Sequence, residues 1–80
     1  DADKYIFHAS AKAKNIARLL SIDLPYSEND TLEEVLLAQL KKENINDEIG
    51  ACVFFKGFGL RIAKKSDGKI SRIEVIRAIH

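Results

Sequence analysis

Ser66-Asp67-Gly68-Lys69 constrains this chain more than any other stretch, because Asp-Gly accepts positive φ at both centres of a type I′ turn and so closes a two-residue hairpin. Counting outward from that turn fixes a register. Leu60 falls opposite Val75 and Ile62 opposite Ile73 on one face, while Arg61 falls opposite Glu74 on the other. One register thus satisfies apolar burial and charge pairing together, and a slip of one residue destroys both. A second tight turn at Lys56-Gly57 sets Val53 against Leu60, Phe55 against Phe58 and Ala51 against Ile62, which selects the same face. The stretch from Gly50 to Ile79 therefore reads as an antiparallel meander. Its apolar side, Ala51, Val53, Phe55, Phe58, Leu60, Ile62, Ile73 and Val75, has to be covered by the N-terminal half. The other side is mixed, with Cys52, Phe54, Gly59, Arg61, Ala63, Arg72, Glu74 and Ile76.

The N-terminal half supplies the cover. Tyr5 to Ala9 is short, aromatic and bounded by polar residues, which predicts a strand. Ser10 is expected to open a helix over about Ala11 to Ser21, with Ala13, Ile16, Ala17 and Leu20 on one stripe and Leu24-Pro25 as its stop. Thr31-Leu32-Glu33-Glu34 fits a capping box, and Leu32, Val35, Leu36 and Leu40 form the buried stripe of a second helix ending near Glu43. Asn44 to Gly50 is a loop in which Ile45 and Ile49 are expected to pin the backbone to the core. The predicted fold is α+β, a two-layer sandwich of order β-α-α-β-β-β, its meander covered by two helices on one face and its first strand added beside an unassigned neighbour.

Composition excludes several function classes. Thirteen basic and 12 acidic residues leave a net charge of +1, so the whole chain has no strong pull toward nucleic acid or anionic lipid. The single Cys52 cannot make an internal disulfide, and no apolar run approaches the roughly 20 residues of a membrane span. His8, Cys52 and His80 are too scattered for a zinc pattern, and Cys52 has no His base near it in sequence. His8 reads as a half-buried structural residue. Gly57-Phe58-Gly59 follows a hairpin turn instead of joining a strand to a helix, so it is no dinucleotide fingerprint; Gly57 serves the turn and Gly59 a close approach opposite Phe54 and Ile76. Glu33 and Glu34 are explained by the helix start and Glu74 by Arg61. No metal site, catalytic site or resident cofactor is expected. Lys56, Arg61, Lys64, Lys65, Lys69, Arg72 and Arg77 concentrate positive charge on the meander, which leaves a nucleic-acid-binding module as an alternative. Asp1-Ala2-Asp3 reads as a mobile linker remnant of a longer polypeptide.

The order of motifs resembles the transporter-associated domain of CorC/HlyC (hemolysin C-like) proteins, over nearly the whole chain. Tyr5 to Ala9 resembles the family's opening strand, Ile16 to Pro25 its first helix with the following Leu-Pro, and Asp30-Thr31-Leu32 the start of its second helix. Gly50 resembles the glycine before its next strand, and Asp67-Gly68 followed by Ile70, Ile73 and Val75 its closing hairpin. Ala9, Glu34 and Ala51 depart from the family pattern. The resemblance implies a non-catalytic accessory domain, residues 1–80, at the C-terminal end of a membrane protein linked to magnesium and cobalt efflux. It implies a position on the cytoplasmic side, with the membrane region and CBS domains of the same polypeptide as partners and a second copy of the chain as an open one. The family fold is also similar to part of the p-cresol methylhydroxylase-type FAD-binding fold, which makes a small flavin-binding domain a further alternative, although no glycine-rich loop offers itself to a pyrophosphate. Phe54, Arg61, Arg72, Glu74 and Ile76, on the face away from the helices, are the expected contact surface.

Overall fold

A computed structural model describes residues 2–78, with elements β1 (Ala2–His8), α1 (Ala13–Leu20), α2 (Leu32–Lys42), β2 (Cys52–Phe55), β3 (Phe58–Ser66) and β4 (Lys69–Ala78). Asp67 and Gly68 both take positive φ, 53° and 77°, and Ser66 pairs with Lys69 across them, so the hairpin closes as its dipeptide requires. In the other turn only Gly57 has positive φ, 89°, the demand of a type II turn at its second central residue. Phe55 still faces Phe58, and their rings stack with centroids 4.8 Å apart.

The four strands form one antiparallel sheet in the order β1-β4-β3-β2, which gives β1 its neighbour: it lies along β4, with Tyr5 opposite Val75 and Phe7 opposite Ile73. The meander register is the expected one at Leu60–Val75, Arg61–Glu74 and Ile62–Ile73. It breaks once. Lys64, not Ala63, stands opposite Arg72, and the register returns at Lys65–Ile70. This double irregularity turns Ile70 into the core, where strict alternation would have set it on the outer face beside Arg72.

The inner face carries the core. Leu60, Ile62, Ile73 and Val75 are fully buried beneath Ala13, Leu32 and Leu36 of the helices. α2 starts on the predicted capping box, with Thr31 Oγ1 accepting from the Glu34 N–H at 3.2 Å and the Glu34 carboxylate accepting from the Thr31 N–H at 2.9 Å. α1 starts differently from expectation. Its N-cap is Lys12, without a side-chain cap, and Ser10 lies outside the helix. The Ala13 N–H donates instead to the Asp30 carbonyl at 2.9 Å and the Leu32 N–H to the Ala11 carbonyl at 2.8 Å, so the two helix starts satisfy each other's backbone. α1 stops at Ser21, which is left-handed at φ 54°, before Pro25 is reached.

Two further expectations fail. Ile45 and Ile49 are exposed and do not pin the loop. Asp3 is no linker residue: it lies in β1 opposite Arg77, and their side chains pair at 2.9 Å.

Candidate interaction surface

The parity that buries Leu60 and Ile62 turns Arg61 between them outward, together with Glu74 and Cys52 opposite it, onto a face that no described helix covers. Two rows cross it. One runs Lys4, Ile76, Gly59, Phe54 and the next Ile6, Glu74, Arg61, Cys52, each residue opposite the one before. Phe54 is the most exposed large apolar side chain among the described residues, at 73%, and its ring lies over Gly59, 3.0 Å from where a Cβ would stand. Any side chain at Gly59 would have to displace that ring. Ile76 is half-buried beside it.

Arg61 and Glu74 meet in the middle. The Arg61 guanidinium donates to Glu74 Oε1 at 3.2 Å, with the arginine side chain 43% exposed and the glutamate only 13%. Arg72 lies toward the end of the face, its guanidinium 2.9 Å from His8 Nδ1 and donating to the Ser71 carbonyl at 3.1 Å. His8 is exposed, not half-buried, because β1 is an edge strand and its even residues point away from the helices. Cys52 is partly buried beside Arg61, and burial pushes its thiol up from the ordinary value, opposing the nearby guanidinium. It is a poor nucleophile in that setting.

The five residues expected on this surface, Phe54, Arg61, Arg72, Glu74 and Ile76, all lie on one face. Ile6, 61% exposed on the same face, was missed. The alternation of Tyr5 and Phe7 around it was the available signal, since two aromatics on the core side send the residue between them outward.

The basic meander is less available than its composition suggests. Lys65 donates to the Asp47 carbonyl at 2.8 Å, and Arg61 and Arg72 have the partners above. Arg77 is the most engaged: it donates to Asp3 at 2.9 Å, to the Leu20 carbonyl at the end of α1 at 2.8 Å and to the Tyr5 hydroxyl at 3.2 Å, and lies over the Tyr5 ring. The hydrogen bond from Arg77 holds the Asp3 carboxyl below its ordinary range and, reciprocally, raises Arg77. Lys56, Lys64 and Lys69 are exposed. His80 lies outside the described residues. Among those described, no three His, Cys, Asp or Glu side chains converge as metal ligands, and no helix is long and apolar enough to cross a membrane.

Comparison with known proteins bears on this face through the fold. A family model described as transporter associated domain, CorC_HlyC, matches residues 1–78. No curated protein sequence matches the chain. Three solved structures share its fold. A CorC_HlyC domain from Haemophilus ducreyi superposes with a TM-score of 0.76 at 16% identity, covering 98% of this chain and 100% of that one. A region described as associated with the Mg²⁺ and Co²⁺ transporter CorC, from Neisseria meningitidis MC58, superposes with a TM-score of 0.73 at 14% identity, covering 95% and 90%. A conserved protein of unknown function from Haemophilus influenzae Rd KW20 gives 0.70 at 18% identity, covering 98% and 99%. The likeness to a flavin-binding fold gains no support from these structures.

Proposed function

This chain belongs to the transporter associated domain family, CorC_HlyC, and from that membership we propose that it is a non-catalytic contact module of a membrane ion transporter, residues 1–80 forming one domain of a longer polypeptide. The observation that carries the reading is the open sheet face: Phe54 stands exposed on it with Ile76 and the Arg61–Glu74 pair at its side, although the same sheet buries the centre of its other face, Leu60, Ile62, Ile73 and Val75, completely. A contiguous patch of this mixture is the chemistry of a protein contact, with apolar anchors and a salt-bridged pair that sets register. The membrane region and CBS domains of the transporter are the partners on this reading, and the domain stands on the cytoplasmic side with them.

Such a domain moves a transporter's equilibrium only by binding its conformational states with different affinity. It does not bind the transported ion, magnesium or cobalt on this reading. An Mg²⁺ site would need converging oxygen ligands, and Glu74 on this face and Asp3 at the rim of the opposite one are each paired with an arginine. The test is transport by the full-length transporter with this domain deleted, and separately with Phe54→Ser and Ile76→Ser together. Altered rate or regulation in both is expected; unchanged transport in both refutes the reading. Magnesium titration followed by backbone amide NMR is expected to give no saturable shifts, and a localised saturable set would replace contact by ion sensing.

A further inference from the structure

Among the described residues no strand lies beside the second edge of β1, and the phase of its backbone can be derived. The Ala9 N–H donates to the Ser71 carbonyl at 3.1 Å, one step beyond the pair His8–Arg72. Hydrogen bonding alternates along an antiparallel ladder, so Asp3, Tyr5 and Phe7 bond toward β4, while Lys4, Ile6 and His8 turn their N–H and C=O groups outward. The same alternation holds across the sheet, where Ile62, opposite Ile73, exchanges its bonds with Gly50 and Ala51 on the other side.

Edge strands are ordinarily blunted by shortness, proline, bulges or charge. β2, the opposite edge, is blunted by its length of 4 residues. β1 runs for 7 residues without proline, its pairing with β4 is free of register shifts, and Lys4 is the one formally charged side chain in the outward triad. Exposed apolar groups flank it on both sides: Ile6 on the open face and Leu19, 68% exposed, at the end of α1. Between strand and helix end lies a groove of about 570 Å³, lined by Tyr5, Phe7, Leu19 and Leu20 among others.

We propose that this edge pairs with the same edge of a second copy, antiparallel about a two-fold axis through Ile6, joining two sheets into one. The outward triad is symmetric about Ile6. Under that axis Lys4 exchanges backbone bonds with the partner's His8, Ile6 meets its own counterpart, and on the groove side Tyr5 lies across from the partner's Phe7. Apolar faces apolar at every central position. An axis through Tyr5 instead sets Lys4 against the partner's Ile6 and Asp3 against the partner's Phe7, which mismatches both faces. The contact is isologous, so it closes at two copies and leaves no exposed β1 edge to propagate.

Analytical ultracentrifugation of the chain from micromolar to millimolar concentration tests this. A species of about twice the 9.0 kDa chain mass is expected, and Ile6→Lys, at an exposed position, is expected to weaken it at least tenfold while the circular dichroism stays unchanged. A second variant reads the register without relying on disruption. With Cys52→Ser to remove the native thiol, Ile6→Cys is expected to form a disulfide-linked dimer under mild oxidation, since directly opposed residues in such a pair sit about 5.5 Å apart at Cα, within disulfide reach. A chain that stays monomeric at millimolar concentration overturns the proposal. So does a dimer that survives Ile6→Lys, or one in which Ile6→Cys remains reduced while Phe54→Cys cross-links.

Discussion

Along β3, Leu60 and Ile62 are wholly buried, while Arg61 between them keeps 43% of its side chain in solvent. Across the hairpin Ile73 and Val75 are likewise wholly buried, while Glu74 between them pairs with Arg61 on the other face with 13% of its side chain exposed, and the two faces of one sheet thereby do different work. The inner face gains its stability from area removed from water under α1 and α2. The outer face has no such cover, and the side chains there are a sparse set of apolar groups around an ion pair. Residues adjacent in sequence are thus separated by function more sharply than residues distant in sequence on the same face, because strand parity, and not proximity along the chain, decides what a residue can touch.

The largest effect that can test this contrast lies on the inner face. Ile62→Ala removes a fully buried side chain between β2 and β4, and should cost about 2 to 5 kcal/mol as transfer and cavity terms add. Urea denaturation followed by circular dichroism measures it. On the outer face Arg61→Ala breaks a pair whose cation keeps 43% of its side chain in solvent, so a loss under about 1 kcal/mol is expected. Similar losses for the two variants would mean that the faces are not energetically distinct.

The contrast was legible in the sequence wherever a turn of fixed length stood close to the pairing it dictates. Asp67-Gly68 and Lys56-Gly57 are each flanked directly by the strands they join, so counting gave Arg61–Glu74, Leu60–Val75 and Val53–Leu60 correctly, and the Thr31–Glu34 box gave the start of α2. What was not legible depends on groups far apart in the chain. Nothing near Ser10 signals that α1 starts at Ala13, because the backbone acceptor there belongs to Asp30. Nothing near Asp3 signals its place in β1 opposite Arg77. Ile70 reads as outward until the irregularity at Lys64 and Ser71 shifts the alternation, and the charges flanking that point give no local cue to it. On the candidate surface the five chosen residues do share a face, while Ile6 escaped because the neighbour of β1 was unknown.

A smaller effect sharpens the contrast at the rim of the inner face, where Arg77 ties Asp3 in β1 to the last carbonyl of α1. The hydrogen bond from Arg77 is the main cause that holds the Asp3 carboxyl below its ordinary value of 3.8 in the folded chain. A carboxyl depressed on folding binds fewer protons folded than unfolded, so its stabilisation is present above that ordinary value and is lost as pH falls through the lower folded one. The stability difference between the parent chain and Asp3→Asn is therefore expected to be constant near neutrality and to shrink below pH 3.8. A difference that grows on acidification would contradict the sign of the shift. Arg77→Gln should weaken the pH dependence of that difference, since it removes the largest of the interactions that lower the Asp3 carboxyl and leaves the smaller one from Tyr5.

The smallest effect is the most discriminating. Phe54→Ser deletes the ring of a side chain that is 73% exposed, and away from buried groups such changes stay within about 0.5 kcal/mol. The ring does touch something: it lies over Gly59, in the space a Cβ would fill, with the Val53 carbonyl 3.3 Å from that point. If this contact were a structural device, rescuing a glycine that weakens β3, then Phe54→Ser would destabilise well beyond that range, and Gly59→Ala would partly restore the double variant by supplying the missing bulk. If Phe54 is instead held out for a partner, Phe54→Ser is neutral for folding. Gly59→Ala in the parent chain then lifts the ring without unfolding the domain, since the crowded atoms belong mainly to a side chain with open solvent around it. The expected outcome is the second: unchanged midpoints in urea for Phe54→Ser, a displaced set of Phe54 ring resonances in Gly59→Ala, and impaired transporter regulation in both, the first through loss of the anchor and the second through its misplacement. A large stability loss in Phe54→Ser would move that residue from the contact surface to the scaffold and leave the outer face without its principal apolar anchor.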